Sequence, residues 1–387
     1  MKTPYFLILK EKLDDNVENF KSALNEVWPN SVLAYSVKTN SLPWLLKYLK
    51  EKDVMAEVVS DEEYQLAELC GYSDEKIVFN GPIKGKDTLK KALESGAIVN
   101  VDSQNDLNLI EKICPENVRV GIRVNVDINV FDESDIEYTE DGFRFGFSVK
   151  NGEFKKALDI INKSCNNPKL GLHLHCNSIT RSLNVYKAIS KYAAKLIKEY
   201  SLELDFIDIG GGYFGGVEGK PLPKDYIAVI RDELEGQIDI EKTKLIIEPG
   251  SAIIGSVVDL HTSVIDTKNT GFARIVTTDG SRIHVDPLWA KSRYMYSIKQ
   301  KVKMESTKRQ IICGYTCMDH DRLMVIENEP ELKVGDEIIY HRVGAYSMTF
   351  GGMFIRYFPN VYVKSKEKLT CVRTSCNVET YMNLHSL

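Results

Sequence analysis

Between residue 13 and about residue 250 the hydrophobic positions follow two alternating periods. Leu13, Val17, Phe20, Leu24 and Val27 recur at helical spacing behind Asp14 and Asp15, which predicts an amphipathic helix with acids in its first turn. The run from Ser31 to Lys38 then reads as a β-strand. Further strand-like runs follow at Ala56–Val59, Ile77–Phe79, Ile98–Val101, Val118–Val124, Leu170–Cys176, Phe206–Ile209 and Leu245–Ile247. Helical patterns separate them, and Ser60 with Glu63, and Ser103, carry helix-start signals. Eight β-then-α units predict an α/β fold in which a TIM-like (β/α)8 barrel closes on itself; the alternative is an open doubly wound sheet, which usually uses fewer strands.

After about residue 255 the pattern changes to short strands divided by turns. Val257–Ile265, Ala273–Thr277, Gln310–Gly314, Glu337–Arg342 and Leu369–Arg373 predict a mostly antiparallel β domain, which the strand-like Pro4–Lys10 could join. The expected division is a barrel over residues 11–255 and a β domain built from 1–10 plus 256–387.

Composition narrows the class of protein. The chain has 387 residues, 43% of them hydrophobic, enough for a sizeable core and incompatible with a disordered chain. Its 50 Lys and Arg against 55 Asp and Glu, a net charge of −5, give no footprint for nucleic acid. The early apolar run Tyr5–Leu9 is too short for a signal peptide or a membrane span, so the expected location is cytoplasmic. The eight cysteines include no C-x-x-C pair, and free thiols are expected.

Position then singles out residues. In a β/α barrel, polar side chains at the C-terminal strand ends are more often chemical than structural. Lys38 closes the first strand, Glu57 lies on the second, Arg123 and Asn125 close the fifth, and His173 and His175 close the sixth. Gly210, Gly211 and Gly212 follow the seventh strand, and Glu248-Pro-Gly250 follows the eighth. Together they describe one cavity.

Lys38 may be read blandly, as a strand-capping lysine that snorkels to water, or chemically, as a desolvated amine able to form a Schiff base. The glycine triplet is either a tight turn or a loop whose bare N–H groups suit a phosphate, with Gly250 as a second donor on the neighbouring loop. Phosphate loops after strands seven and eight recur in barrels. His173 and His175 could bind a metal only with carboxylate help. One histidine against a cofactor ring and one satisfied in the core is the better reading, and no metal is expected. Glu248 is either a plain acid opening the next segment or a partner for a protonated ring nitrogen.

Ala34-Tyr-Ser-Val-Lys38-Thr-Asn40, Gly171-Leu-His-Leu-His175-Cys-Asn-Ser178, Gly210-Gly-Gly212, Glu248-Pro-Gly250, Cys317 and Gly344-Ala-Tyr346 occur in that order. This set resembles the pyridoxal-phosphate-dependent decarboxylases of the alanine racemase fold group, which include diaminopimelate, ornithine and carboxynorspermidine decarboxylases. The resemblance implies a carboxy-lyase acting on an amino-acid carbon, with diaminopimelate, carboxynorspermidine or a natural-product or siderophore intermediate among the candidate substrates. It implies that Lys38 holds pyridoxal 5'-phosphate as a Schiff base, that His175 stacks on the ring, and that Glu248 keeps the ring nitrogen protonated. Ser178, Gly210, Gly211, Gly212, Gly250 and Tyr346 would hold the phosphate, with Glu57 and Arg123 around the ring and the lysine.

Cys317 matches a cysteine that these enzymes contribute from a partner subunit, which implies a homodimer with shared sites, and it is the expected proton donor to Cα. The chain departs from the pattern at Ser251, where the family often has a phosphate-binding arginine, and at Met318, where ornithine and diaminopimelate enzymes place an acid. Arg282, His284, Asp286, Met318, Asp319, Asp321 and Arg293 are therefore candidates for the substrate's far end, each with a solvated loop residue as its bland alternative. A racemase on the same fold, or a regulator that has lost catalysis, are the other readings. Retention of Lys38, His175, Glu248 and Cys317 argues against the regulator.

Overall fold

A computed structural model describes residues 1–137, 140–291 and 293–385. The chain divides into two compact units, one of residues Asn16–Ile253 and the other of Met1–Asp15 with Ile254–Leu387. Among the described residues no helix is long and apolar enough to cross a membrane.

The first unit is a closed parallel barrel. Its strands are Ser31–Ser36, Met55–Val58, Ile77–Phe79, Ile98–Val101, Arg119–Asn125, Lys169–His173, Phe206–Asp208 and Lys244–Ile247. Each pairs in parallel with the next, and the ring closes where Leu245 sits opposite Ser31 and Ile246 opposite Val32. All eight strands expected from the periodicity are present. A two-residue strand, Phe147–Ser148, adds to the edge of the fifth. Helices alternate with the strands, and two begin as their sequences predict: the Ser60 side chain accepts from the Glu63 N–H at 3.2 Å, and Ser103 accepts from Asp106 N–H at 3.2 Å.

The first helix differs from expectation. It spans Lys10–Val27 and starts directly after the strand Tyr5–Leu9, so Glu11 is the acid of its first turn. Asp14 lies one turn further in and pairs with Lys10 at 2.7 Å. Helical periodicity marks the buried stripe well and the first residue poorly, because a chain that leaves a strand can wind at once.

Inside the barrel, Ala34, Met55, Val78, Ile98, Phe206 and Ile246 pack into one apolar cluster. The Phe206 ring fits because its neighbours across the ring are small. A Cβ on Gly171 would stand 2.2 Å from Phe206 Cε2, and one on Gly121 would stand 3.1 Å from the same atom. This packed plug fills the bottom of the barrel and leaves polar side chains for the open end of the strands.

The second unit is a sheet of mixed direction, largely antiparallel. Tyr5–Leu9 runs antiparallel to Val258–Asn269 and parallel to Asn360–Ser365, so the N-terminal strand does join this sheet. Arg274–Thr278 lies between Val258–Asn269 and Ser306–Cys313, antiparallel to the first and parallel to the second. Three strands escape the sequence pattern: Met295–Lys299, Arg322–Pro330 and Asn360–Ser365. The first two have charged or half-exposed faces, and the third offers only Val361 and Val363 to the interior; neighbouring strands supply their backbone hydrogen bonds. A short helix, Arg282–Val285, also interrupts this unit, capped by Ser281.

Candidate active site

The barrel brings its strand-end polar residues into one hydrogen-bonded array. Lys38 does not end the first strand itself; it stands in a single helical turn, Val37–Thr39, just beyond it. From there its Nζ donates to Glu57 Oε2 at 2.7 Å, and its side chain remains 39% exposed while Glu57 is buried. Asn80, directly after the third strand, donates to Glu57 Oε1 at 3.0 Å and to Glu248 Oε1 at 2.6 Å. Asn100 on the fourth strand donates to Asn80 Oδ1 at 2.8 Å and to Asp208 Oδ2 at 2.9 Å. Asp208 on the seventh strand shares a hydrogen bond with Glu248, and His173 Nε2 lies 3.8 Å from Glu248 Oε2.

Burial sets the charges of this array. Glu248 is pushed well above the usual carboxylate range, first by desolvation and then by the nearby carboxylates of Asp208 and Glu57. Asp208 is pushed up to about 6, mainly by desolvation. Two buried carboxyls in contact cannot both ionise cheaply, so they share a proton. His175 is lowered to about 3 by burial, then by Arg123 and Lys38, and His173 is also held well below the usual imidazole range. Both imidazoles are neutral at neutral pH. Arg123 is anchored from below, donating to Asp102 Oδ2 at 2.7 Å, and its guanidinium lies 4.5 Å from the centre of the Phe145 ring.

Two sequence expectations change. Gly210 and Gly211 do not present bare N–H groups: Gly210 N–H donates to Asp208 Oδ1 at 2.9 Å and Gly211 N–H to His175 Nδ1 at 3.3 Å. The glycines instead let loops approach, since a Cβ on Gly211 would stand 2.4 Å from the Glu248 carbonyl oxygen and one on Gly250 would stand 2.0 Å from Thr39 Oγ1. The second change concerns His173. It is not satisfied in the core; it is buried with neither ring nitrogen hydrogen-bonded. His175 lies beyond the end of the sixth strand, so it does not share that strand's alternation.

Asn80, Asn100 and Asp208 were missed by sequence reasoning. A signal existed for two of them: Asn100 in Ile98-Val-Asn-Val101 and Asp208 in Phe206-Ile-Asp-Ile209 are polar residues inside apolar strand runs.

These residues fit a phosphorylated, nitrogen-heterocyclic aldehyde. An amine stands at one strand end, a carboxyl that retains its proton at another, and a neutral imidazole beside them. The buried Thr39 hydroxyl has no hydrogen-bond partner and sits where the missing Cβ of Gly250 leaves room. Ser178 is half-buried on the loop after the sixth strand. Beside His175 opens a cavity of about 540 Å³ lined also by Arg123, Asp141, Phe143, Arg144 and Phe145.

The remaining candidates lie in the second unit. Asp321 is buried and accepts from Ser281 Oγ at 2.9 Å, Thr316 Oγ1 at 2.7 Å and Arg282 N–H at 3.1 Å. Asp286 accepts from the Arg282 guanidinium at 2.6 Å, from Tyr294 OH at 3.1 Å and from the Ala290 and Lys291 N–H groups. Asp286, Asp321 and Arg282 are thus neither solvated charges nor open ligands; they hold their loops in shape. His284 is buried and lowered to about 4 by desolvation, with Nδ1 lacking a hydrogen bond. Asp319 is exposed and pairs with Arg322 at 2.9 Å, and Arg293 is exposed. Cys317 is exposed, Met318 half-buried, and Tyr346 sits with its ring edge-on to Phe350 at 6.0 Å. All eight cysteines are free thiols.

Residues 11–255 match the family model for the pyridoxal-binding domain of pyridoxal-dependent decarboxylases. The diaminopimelate decarboxylase of Archaeoglobus fulgidus is 29% identical over 363 residues, covering 91% of this chain and 85% of that one. The crystal structure of diaminopimelate decarboxylase from M. jannaschii superposes with a TM-score of 0.85 at 21% identity, over 100% of this chain and 93% of the other. That of the Helicobacter pylori enzyme complexed with L-lysine gives 0.83 at 24% identity, over 100% and 97%. At these identities the two structures establish a common fold.

Proposed function

The chain belongs to the pyridoxal-dependent decarboxylases, and from that premise we propose that it removes one carboxylate from diaminopimelate or a closely similar diamino dicarboxylic acid. It is a carboxy-lyase that works with pyridoxal phosphate. The observation that carries the finer reading is the cavity beside His175, which presents a guanidinium, Arg144, and a carboxylate, Asp141, together. That pair suits a substrate whose far end bears both a carboxylate and an ammonium. The relatives named diaminopimelate decarboxylase, matched along most of their length, support the same substrate.

When bound, the cofactor supplies a conjugated electron sink for the electron pair left as the Cα–carboxylate bond breaks. The chain's own residues prepare that event. Lys38 would hold the cofactor's aldehyde end through Nζ, with Glu57 Oε2 as the 2.7 Å acceptor for its proton. Glu248, braced by Asn80 and proton-sharing with Asp208, would hold a proton at the ring nitrogen. Neutral His175 would lie against the ring without adding charge to it. Arg123 and the aromatic rings of Phe143 and Phe145 wall the cavity and reduce its water. Cys317, exposed on its own unit, would deliver a proton to Cα in the site of a second copy, so the working form is a homodimer.

The test is CO₂ release from a panel of diaminopimelate, ornithine, lysine, arginine and carboxylated polyamines, the last included because Met318 is apolar. Diaminopimelate should be the preferred substrate and lysine its product, with activity reduced to background in Lys38→Ala. Release from another member of the panel in preference to diaminopimelate would refute the substrate; racemisation without CO₂ would refute the reaction.

A further inference from the structure

Arg181 is an unassigned cation at the mouth of the barrel. It lies on the loop after the sixth strand, and its Nη1 donates to Ser251 Oγ at 3.1 Å, on the loop after the eighth. Its guanidinium is also 5.6 Å from the ring centre of Phe214, on the loop after the seventh. One side chain therefore touches the two loops that form a recurrent phosphate site in barrels. Among the described residues it pairs with no carboxylate, so its charge is uncommitted.

Its position is over-determined. Thr180 and Ser182, on either side, both donate to the Asp135 carboxylate, Ser182 at 3.1 Å. Tyr226 OH donates to the Arg181 carbonyl at 2.8 Å, and Arg181 itself is held at φ +53°. A non-glycine residue in that region costs on the order of 1 kcal/mol and persists where surrounding contacts impose it. Beside Ser251 lies Gly250, whose missing Cβ leaves room at the unpartnered Thr39 hydroxyl. A guanidinium held on Ser251 and, one residue away, a glycine backbone beside a free hydroxyl make up the donor set a phosphate monoester needs.

We propose that Arg181, fixed by Ser251, supplies the charged contact to the cofactor's phosphate. This rests on the reading that the loops after strands seven and eight receive that phosphate, and it names the residue that neutralises it. Gly210 and Gly211 already spend their N–H groups on Asp208 and His175, so the side chain carries what those glycines cannot.

The experiment strips the enzyme of cofactor and titrates it with pyridoxal phosphate and, separately, with pyridoxal, following bound-cofactor absorbance. Arg181→Gln keeps a neutral donor for Ser251 and removes the charge. It should weaken pyridoxal phosphate at least about tenfold, the equivalent of about 1.4 kcal/mol, and change pyridoxal less than about twofold. Arg181→Gln with Ser251→Arg should recover most of the loss, because position 251 reaches the same space. Thermal melts of the stripped variants separate binding from folding, and Arg181→Met, which also removes the charge, gives the same selective reading if the Gln variant folds poorly. An unchanged affinity for pyridoxal phosphate, or an equal loss for both ligands, overturns the role of Arg181. If the wild-type enzyme binds pyridoxal and pyridoxal phosphate equally, the phosphate site itself falls, and the proposal with it.

Discussion

Single residues in this barrel act through the proton they keep or give up. Asp208 and Glu248 are raised by burial and by each other, so the folded chain retains a proton that the unfolded chain has released between roughly pH 4 and pH 6. The contribution of Asp208 to stability is greatest in acid and is lost as pH rises through about 6, and Glu248 acts in the same sense. Half-buried His175 and buried His284, neutral and lowered to about 3 and about 4, act in the opposite sense. Their contribution is present above roughly pH 6.5 and is lost as pH falls. The two trends overlap, so the pair is isolated by difference. Asp208→Asn mimics the protonated acid, and in cofactor-free protein its stability relative to wild type should rise by about 1 kcal/mol between roughly pH 5 and pH 8. Urea denaturation across that range measures it, and a pH-independent difference would exclude a shared proton. At the cavity, Arg144→Ala should raise KM for diaminopimelate about tenfold while kcat changes little, because the contact is the same before and during bond cleavage. A fall confined to kcat would remove Arg144 from substrate recognition.

Elements hold those residues in place through tight contacts at their ends and in the barrel plug. The Phe206 ring occupies the volume that side chains at Gly171 and Gly121 would fill, and this lets the seventh strand sit flush against the sixth. Gly171→Ala should therefore destabilise the barrel by roughly 1–3 kcal/mol, read from chemical denaturation, with cofactor affinity affected only as far as folding is. A neutral result would mean that the ring has room to turn. Much at this scale is legible in sequence. Strand runs separated by helical stripes announce the barrel, and Ser60 and Ser103 mark helix starts that the structure reproduces. Edges of the second unit are less legible. Arg322–Pro330 carries Glu327 and Glu329 on its exposed face, so no two-period apolar signal distinguishes it from a loop. Its strand character comes from the hydrogen bonds of Ser306–Cys313.

For the whole molecule, the proposed homodimer has a direct functional test. Lys38→Ala and Cys317→Ala are each expected to be inactive alone. If each site takes its lysine from one copy and its cysteine from the other, an equal mixture refolded together should regain about a quarter of wild-type activity, from the single intact site of each mixed dimer. No recovery would place both residues in the same copy's site. What the sequence determined was the succession of strands and helices, the polar residues at strand ends and the glycine loops, because periodicity and backbone freedom are local properties of the chain. What only the tertiary structure decided was which of those polar groups meet. Asn80, Asn100, Asp208 and Glu248 come from four different strand ends and become one array only when Leu245 closes against Ser31. Arg181 reaches Ser251 across 70 residues of chain, and Asp286 and Asp321 are consumed by neighbours that spacing alone does not reveal. Desolvation and hydrogen bonding depend on distance through space, and that distance exists only once the barrel has shut.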